Sequence, residues 1–133
     1  MKSWIPLLMA AGLGLPGCLV GVDHGHGRGQ GDGVFSVDWS IDGATHGSDC
    51  DYYGAASVDI TVMSRYGEED YAVVSCDRFT HDFYLPPGSY WVTVTMLDSH
   101  DNDVSTTIRT DEYSLYEGDS QYVVADFPPD SFR

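Results

Sequence analysis

From Val34 onward, apolar and polar residues alternate in short runs, which is the period of a β-strand with one face in a core. In VFSVDWSI the residues Phe35, Val37, Trp39 and Ile41 share a face. In ASVDITVM the same holds for Ala56, Val58, Ile60 and Val62, and in YWVTVTML for Tyr90, Val92, Val94 and Met96. YAVVSC from Tyr71, RFTHDFYL from Arg78, DVSTTIRT from Asp103 and SQYVVADF from Ser120 are further strand candidates. Turn signals separate them: Tyr66-Gly67-Glu68, Pro86-Pro87-Gly88, Asp101-Asn102-Asp103 and Glu117-Gly118-Asp119. No window carries a helical period. Seven short strands in about one hundred residues predict an all-β fold, an antiparallel Greek-key β-sandwich over residues 34–133 with two sheets on one core.

The stretch LPPGSYWVTVTMLDSHDND, Leu85 to Asp103, narrows this further. Its P-G-x-Y-x-V-x-V run and the polar turn after it resemble the prealbumin-like sandwiches of carboxypeptidase regulatory-like and Cna B-type modules. The resemblance implies a spacer or binding scaffold and no catalysis. Pro87 is expected to preset the first turn dihedral, Gly88 to take a positive one, and Tyr90 to enter the core. Cna B-type modules often carry a lysine–asparagine isopeptide bond, but the only lysine here is Lys2, so that cross-link is chemically excluded.

The first 33 residues follow a different pattern. Lys2 and the apolar run WIPLLMAAGLGL read as an export signal over residues 1–17, too short to span a bilayer. The run ends in LPGC, Leu15 to Cys18, which resembles the lipobox of bacterial lipoproteins. The resemblance implies diacylglyceryl attachment to the Cys18 sulfur and cleavage before it. Leu19 stands where an inner-membrane retention signal would have aspartate, so the outer membrane is expected. Several acyl chains anchor firmly, because each buried methylene contributes roughly 0.8 kcal/mol. From Cys18 to Gly33 a glycine- and histidine-rich tether is expected, whose last fifteen residues would span roughly 20 Å as a flexible chain.

Two other cysteines, Cys50 and Cys76, are expected to pair in an oxidising compartment. They would close a loop of about 27 residues, worth roughly 3.5 kcal/mol by chain entropy. A zinc site is the weaker alternative, since no C-x-x-C or H-x-x-x-H accompanies them.

Charge excludes one class of partner. Six basic and twenty-one acidic residues give a net charge of -15. Past Cys18 the only cations are Arg28, Arg65, Arg78, Arg109 and Arg133, too few to contact phosphate chains, so no nucleic acid is expected.

The motif search finds no G-x-S-x-G, H-E-x-x-H or G-x-x-x-x-G-K, and no catalytic residue is assigned. Two stretches could hold metal. Asp23, His24 and His26 in DHGHGR suit weak capture of a transition metal, although a solvated tether is the better explanation. Asp98, Asp101 and Asp103 in DSHDND suit calcium, although a capped hairpin turn explains the same residues. Finally, Trp91 alternates out of the core with Thr93 and Thr95, and Tyr84 lies near a turn. Tyr84 and Trp91 mark a candidate surface for a protein or glycan partner, unless the long loop from Asp42 to Gly54 covers them. The sequence thus predicts a lipid-anchored envelope protein with a non-catalytic binding or structural domain. A metal-capturing lipoprotein is the alternative, and a small hydrolase a more distant one.

Overall fold

The computed structural model describes residues 31–133, so Cys18, His24 and His26 lie outside the described residues. The elements in chain order are β1 (Gly33–Ile41), α1 (Gly47–Tyr52), β2 (Ser57–Ser64), β3 (Gly67–Ser75), β4 (Thr80–Leu85), β5 (Gly88–Leu97), β6 (Ile108–Arg109), β7 (Tyr113–Leu115) and β8 (Ser120–Phe127). Two sheets form: β4-β1-β8, and β3-β2-β5-β6 with β7 also paired to β5. The all-β sandwich expected from the alternation is present.

Period two decides which side chains meet between the sheets. Phe35, Val37, Trp39 and Ile41 of β1 join Phe83 and Leu85 of β4 and Val123, Ala125 and Phe127 of β8. Facing them are Val58, Ile60 and Val62 of β2 and Tyr90, Val92, Val94 and Met96 of β5. All of these are buried. Each such aliphatic or aromatic side chain contributes about 1.5–3 kcal/mol on leaving water.

The pairing departs from the all-antiparallel expectation. β1 pairs antiparallel with β4 but parallel with β8, from Val34↔Ser120 to Ile41↔Phe127. The reason lies at the end where β1 begins. There β7 pairs with Gly88–Tyr90 of β5, and the chain turns through Tyr116–Asp119 to start β8 level with Val34. β8 therefore runs in the direction of β1. Gly33 sits at the same place because a Cβ there would lie 2.8 Å from the Leu115 side chain and the Tyr116 carbonyl.

Three local expectations are corrected. The stretch Asp103–Thr110 is a strand only at Ile108–Arg109. Upstream, Ser105 is fully buried, its hydroxyl accepts the Met96 N–H at 2.9 Å and donates to the Thr106 carbonyl at 2.9 Å, and its backbone bridges Phe132. Gly88 does not adopt a positive φ; instead a side chain there would press on the Tyr90 hydroxyl, 3.2 Å from a built Cβ. The loop from Asp42 to Gly54 contains α1, whose buried side chain Cys50 is bonded to Cys76 with a Cα separation of 6.1 Å. The expected disulfide is therefore present. The Trp39 indole N–H donates to the Cys76 carbonyl at 2.8 Å, which ties the staple to the core.

Candidate functional site

The alternation that buries one face of each sheet aims the other outward. On the larger sheet the register aligns Tyr71, Thr61, Thr93 and Arg109 in one row across β3, β2, β5 and β6. The row above holds Val73, Asp59 and Thr95, with the Thr95 hydroxyl 2.6 Å from that of Thr107. The row below holds Glu68, Met63 and Trp91. The Arg109 guanidinium lies 4.5 Å over the Trp91 ring, a cation–π contact that ties adjacent rows together. Tyr71 and Val73 are 63% and 50% exposed, high values for large apolar side chains in mid-strand. Burial pushes the Asp59 carboxyl above its ordinary pKa, and the charge of Asp103 adds to the rise.

Trp91 is thus an outward residue, as expected. The loop from Asp42 to Gly54 does not reach its ring, which carries Arg109 instead; that loop stacks Tyr53 on Phe132 at 4.1 Å. Tyr84, however, belongs to the other sheet, on the same outer face as the exposed Tyr122 and Val124. The two candidate partner residues therefore do not form one surface. On the Tyr84 face every carboxylate is held by a hydroxyl of the neighbouring strand. Ser36 donates to Asp82 at 2.6 Å, Thr80 to Asp38 at 2.6 Å and Ser40 to Asp126 at 2.7 Å.

The acidic turn folds around one of its own carboxylates. Asp98 Oδ1 accepts the backbone N–H of His100 at 2.8 Å and of Asn102 at 2.9 Å. The bond from Asn102, then that from His100, holds the Asp98 pKa below the ordinary carboxylate value. Asp101 takes a positive φ of 63° at the tip, and Asp103 bridges back to Leu97. Among the described residues, no group of three or more His, Cys, Asp or Glu side chains is placed to hold a metal ion. A depressed carboxylate pKa stabilises the fold above its unfolded value, and that stabilisation is lost as pH falls through the folded value. Asp98→Ala is therefore expected to lower the melting temperature at pH 7, with the gap to wild type closing as pH drops below 4, the range in which carboxylates protonate. A gap independent of pH in differential scanning fluorimetry would mean that the carboxylate charge is not what holds the turn.

A cleft of about 640 Å³, not legible in the sequence, opens at the end where the chain joins β1. Its lining includes Ser64, Arg65, Tyr66, Glu69, Pro87 and Glu112. Arg65 is turned onto its neighbour, donating to the Tyr66 hydroxyl at 3.0 Å with its guanidinium 5.1 Å from the ring. Ser64 donates to Glu69, and the Tyr90 hydroxyl donates to the Pro86 carbonyl at 2.6 Å. Burial first, then the charges of Glu69 and Asp32, push the Tyr90 pKa up. Among the described residues, His100 shares a hydrogen bond with a hydroxyl, that of Ser99 beside it in the exposed turn, at 3.5 Å. His81 packs edge-on against Phe83, and burial, reinforced by the Arg78 charge, lowers its pKa.

No protein-family model matches this chain, and no curated protein matches it in sequence.

Proposed function

We propose that this chain is a lipid-anchored protein of the bacterial cell envelope, at the outer membrane, whose β-sandwich is a non-catalytic binding or structural module. The observation that carries this is the Cys50–Cys76 disulfide, since such bonds persist in exported proteins and are rare in the cytosol. The LPGC stretch would supply the anchor, and Lys2 with the apolar run before it the export signal. Placement of Gly31 and Gly33 beside Glu117 and Leu115, at one end of the sandwich, favours a tether that meets the domain at that end. The side chains that remain for recognition are on the outer sheet faces, where Trp, Tyr, Met and Arg are the types that dominate interface energetics.

The test is partitioning. Wild type is expected in the detergent phase of a cell-envelope extract, and Cys18→Ser in the aqueous phase, because the acyl groups and not the leader hold it. Unchanged partitioning of the variant overturns the anchor.

A further inference from the structure

We infer that the outer face of the larger sheet, centred on Thr61, Thr93 and Trp91, docks against the same face of a second copy of this chain. The twofold axis would run along the strands, between β2 and β5.

The complementarity is in the register. Such an axis keeps each residue at its height and exchanges left for right, so β5 of one copy faces β2 of the other. The row Tyr71–Thr61–Thr93–Arg109 then meets its own reverse. Arg109, stacked on Trp91 of its own chain, comes beside Tyr71 of the second copy, and the threonines face one another. One row below, Met63 meets the Trp91 ring, a favourable sulfur–aromatic contact. One row above, the Asp59 carboxylate meets the Thr95 hydroxyl. Aligned sheets cross at about 30°, so the match holds best in the rows nearest the axis.

Charge selects this face. On a chain of net charge -15, two copies approach only where acids are sparse. The opposite face carries Asp38, Asp82 and Asp126, each matched by a hydroxyl and none by a cation among the described residues. The Trp91 face carries two acids, Asp59 at its centre and Glu68 on the edge strand β3, together with the cation Arg109, and Asp59 has a partner in the reversed row. The position of the chain before β1 also fits. Gly31 and Gly33 lie at one end of the strands, so both copies present their N-terminal segments on the same side. Resting on the anchoring proposed above, that is the arrangement two neighbours on one membrane require, with the sheet faces looking sideways along it.

The full chain carrying Thr93→Cys, expressed where it is lipidated, is treated in membranes with a short bis-maleimide. A product of twice the chain mass is expected, forming roughly tenfold or more faster than with Tyr122→Cys on the opposite sheet, because a docked partner raises the effective thiol concentration. Adding Thr61→Glu and Arg109→Ala, both outward positions, should abolish the difference without moving the melting temperature appreciably. In a second arm, Cys18→Ser protein in aqueous solution should show a concentration-dependent dimer by sedimentation velocity, lost in the same double variant. Equal rates at Thr93→Cys and Tyr122→Cys, a conjugate of another mass, or a monomer at every concentration overturns the pairing. Failure of the anchor alone would show as unchanged partitioning of Cys18→Ser with face-specific cross-linking intact.

Discussion

Trp39→Ala is expected to leave the domain largely unfolded at 37 °C. Trp39 is 1% exposed, the largest of the fully buried side chains among the described residues, and stands near the end of β1, level with Ala125 of β8. Removing a buried tryptophan to alanine costs about 3–5 kcal/mol, since the surrounding sheets close only part of the void. The Cys76 carbonyl also loses the indole N–H that it accepts at 2.8 Å, for about 1 kcal/mol more. A domain of this size has about 5–15 kcal/mol in all, so the substitution removes much of it and lowers the melting temperature by roughly 20 °C. Trp39→Phe separates the two effects, keeping most of the volume and giving up the hydrogen bond. Thermal unfolding followed by circular dichroism decides the matter. A drop of only a few degrees for Trp39→Ala would mean that the two sheets do not depend on this contact.

The second large effect belongs to the staple. Cys50→Ala with Cys76→Ala is expected to destabilise by about 3.5 kcal/mol, as chain entropy gives for cysteines 26 residues apart. The loss should be felt first in α1. That helix has six residues, no side-chain cap at its N-terminus, and Cys50 as its buried residue, so the covalent bond and the stack of its C-cap Tyr53 on Phe132 hold it to the sandwich. Wild type in reducing agent should melt with the double variant, roughly 15 °C below the oxidised protein. If reduction leaves the midpoint unchanged while the double alanine lowers it, packing of the sulfurs and not the bond is responsible.

What the sequence made legible, and what it hid, follows from the range of each signal. Alternation is a local property of a sheet with one wet face. Phe35, Val37, Trp39 and Ile41 could therefore be placed in the core, and Trp91 with Thr93 and Thr95 outside it, before any pairing was known. Alternation has no direction, so it could not distinguish a parallel β1–β8 pair from an antiparallel one. Nor could it show that Tyr84 and Trp91 face opposite ways, since that depends on which sheet each strand joins. α1 was invisible because a six-residue helix held by a disulfide needs no apolar stripe. The strand expected before Ile108 failed at Ser105, a polar residue whose burial is made tolerable by the Met96 N–H and the Thr106 carbonyl, partners remote or irregular in sequence. The pairing of Arg109 with Trp91 joins two strands and had no local signature.

The parallel pair also sets a timetable for folding. β1 is the first of the described strands, yet one of its two neighbours is β8, the last of them, with Ser40 and its partner Asp126 separated by 86 residues. Closing so long a loop carries its entropy cost before any contact repays it, and folding dominated by such contacts takes milliseconds to seconds. The small sheet consequently has no complete form until β8, Ser120–Phe127, is in place. A chain arranged in this way reaches its full native order only once both ends of the sandwich segment are present together.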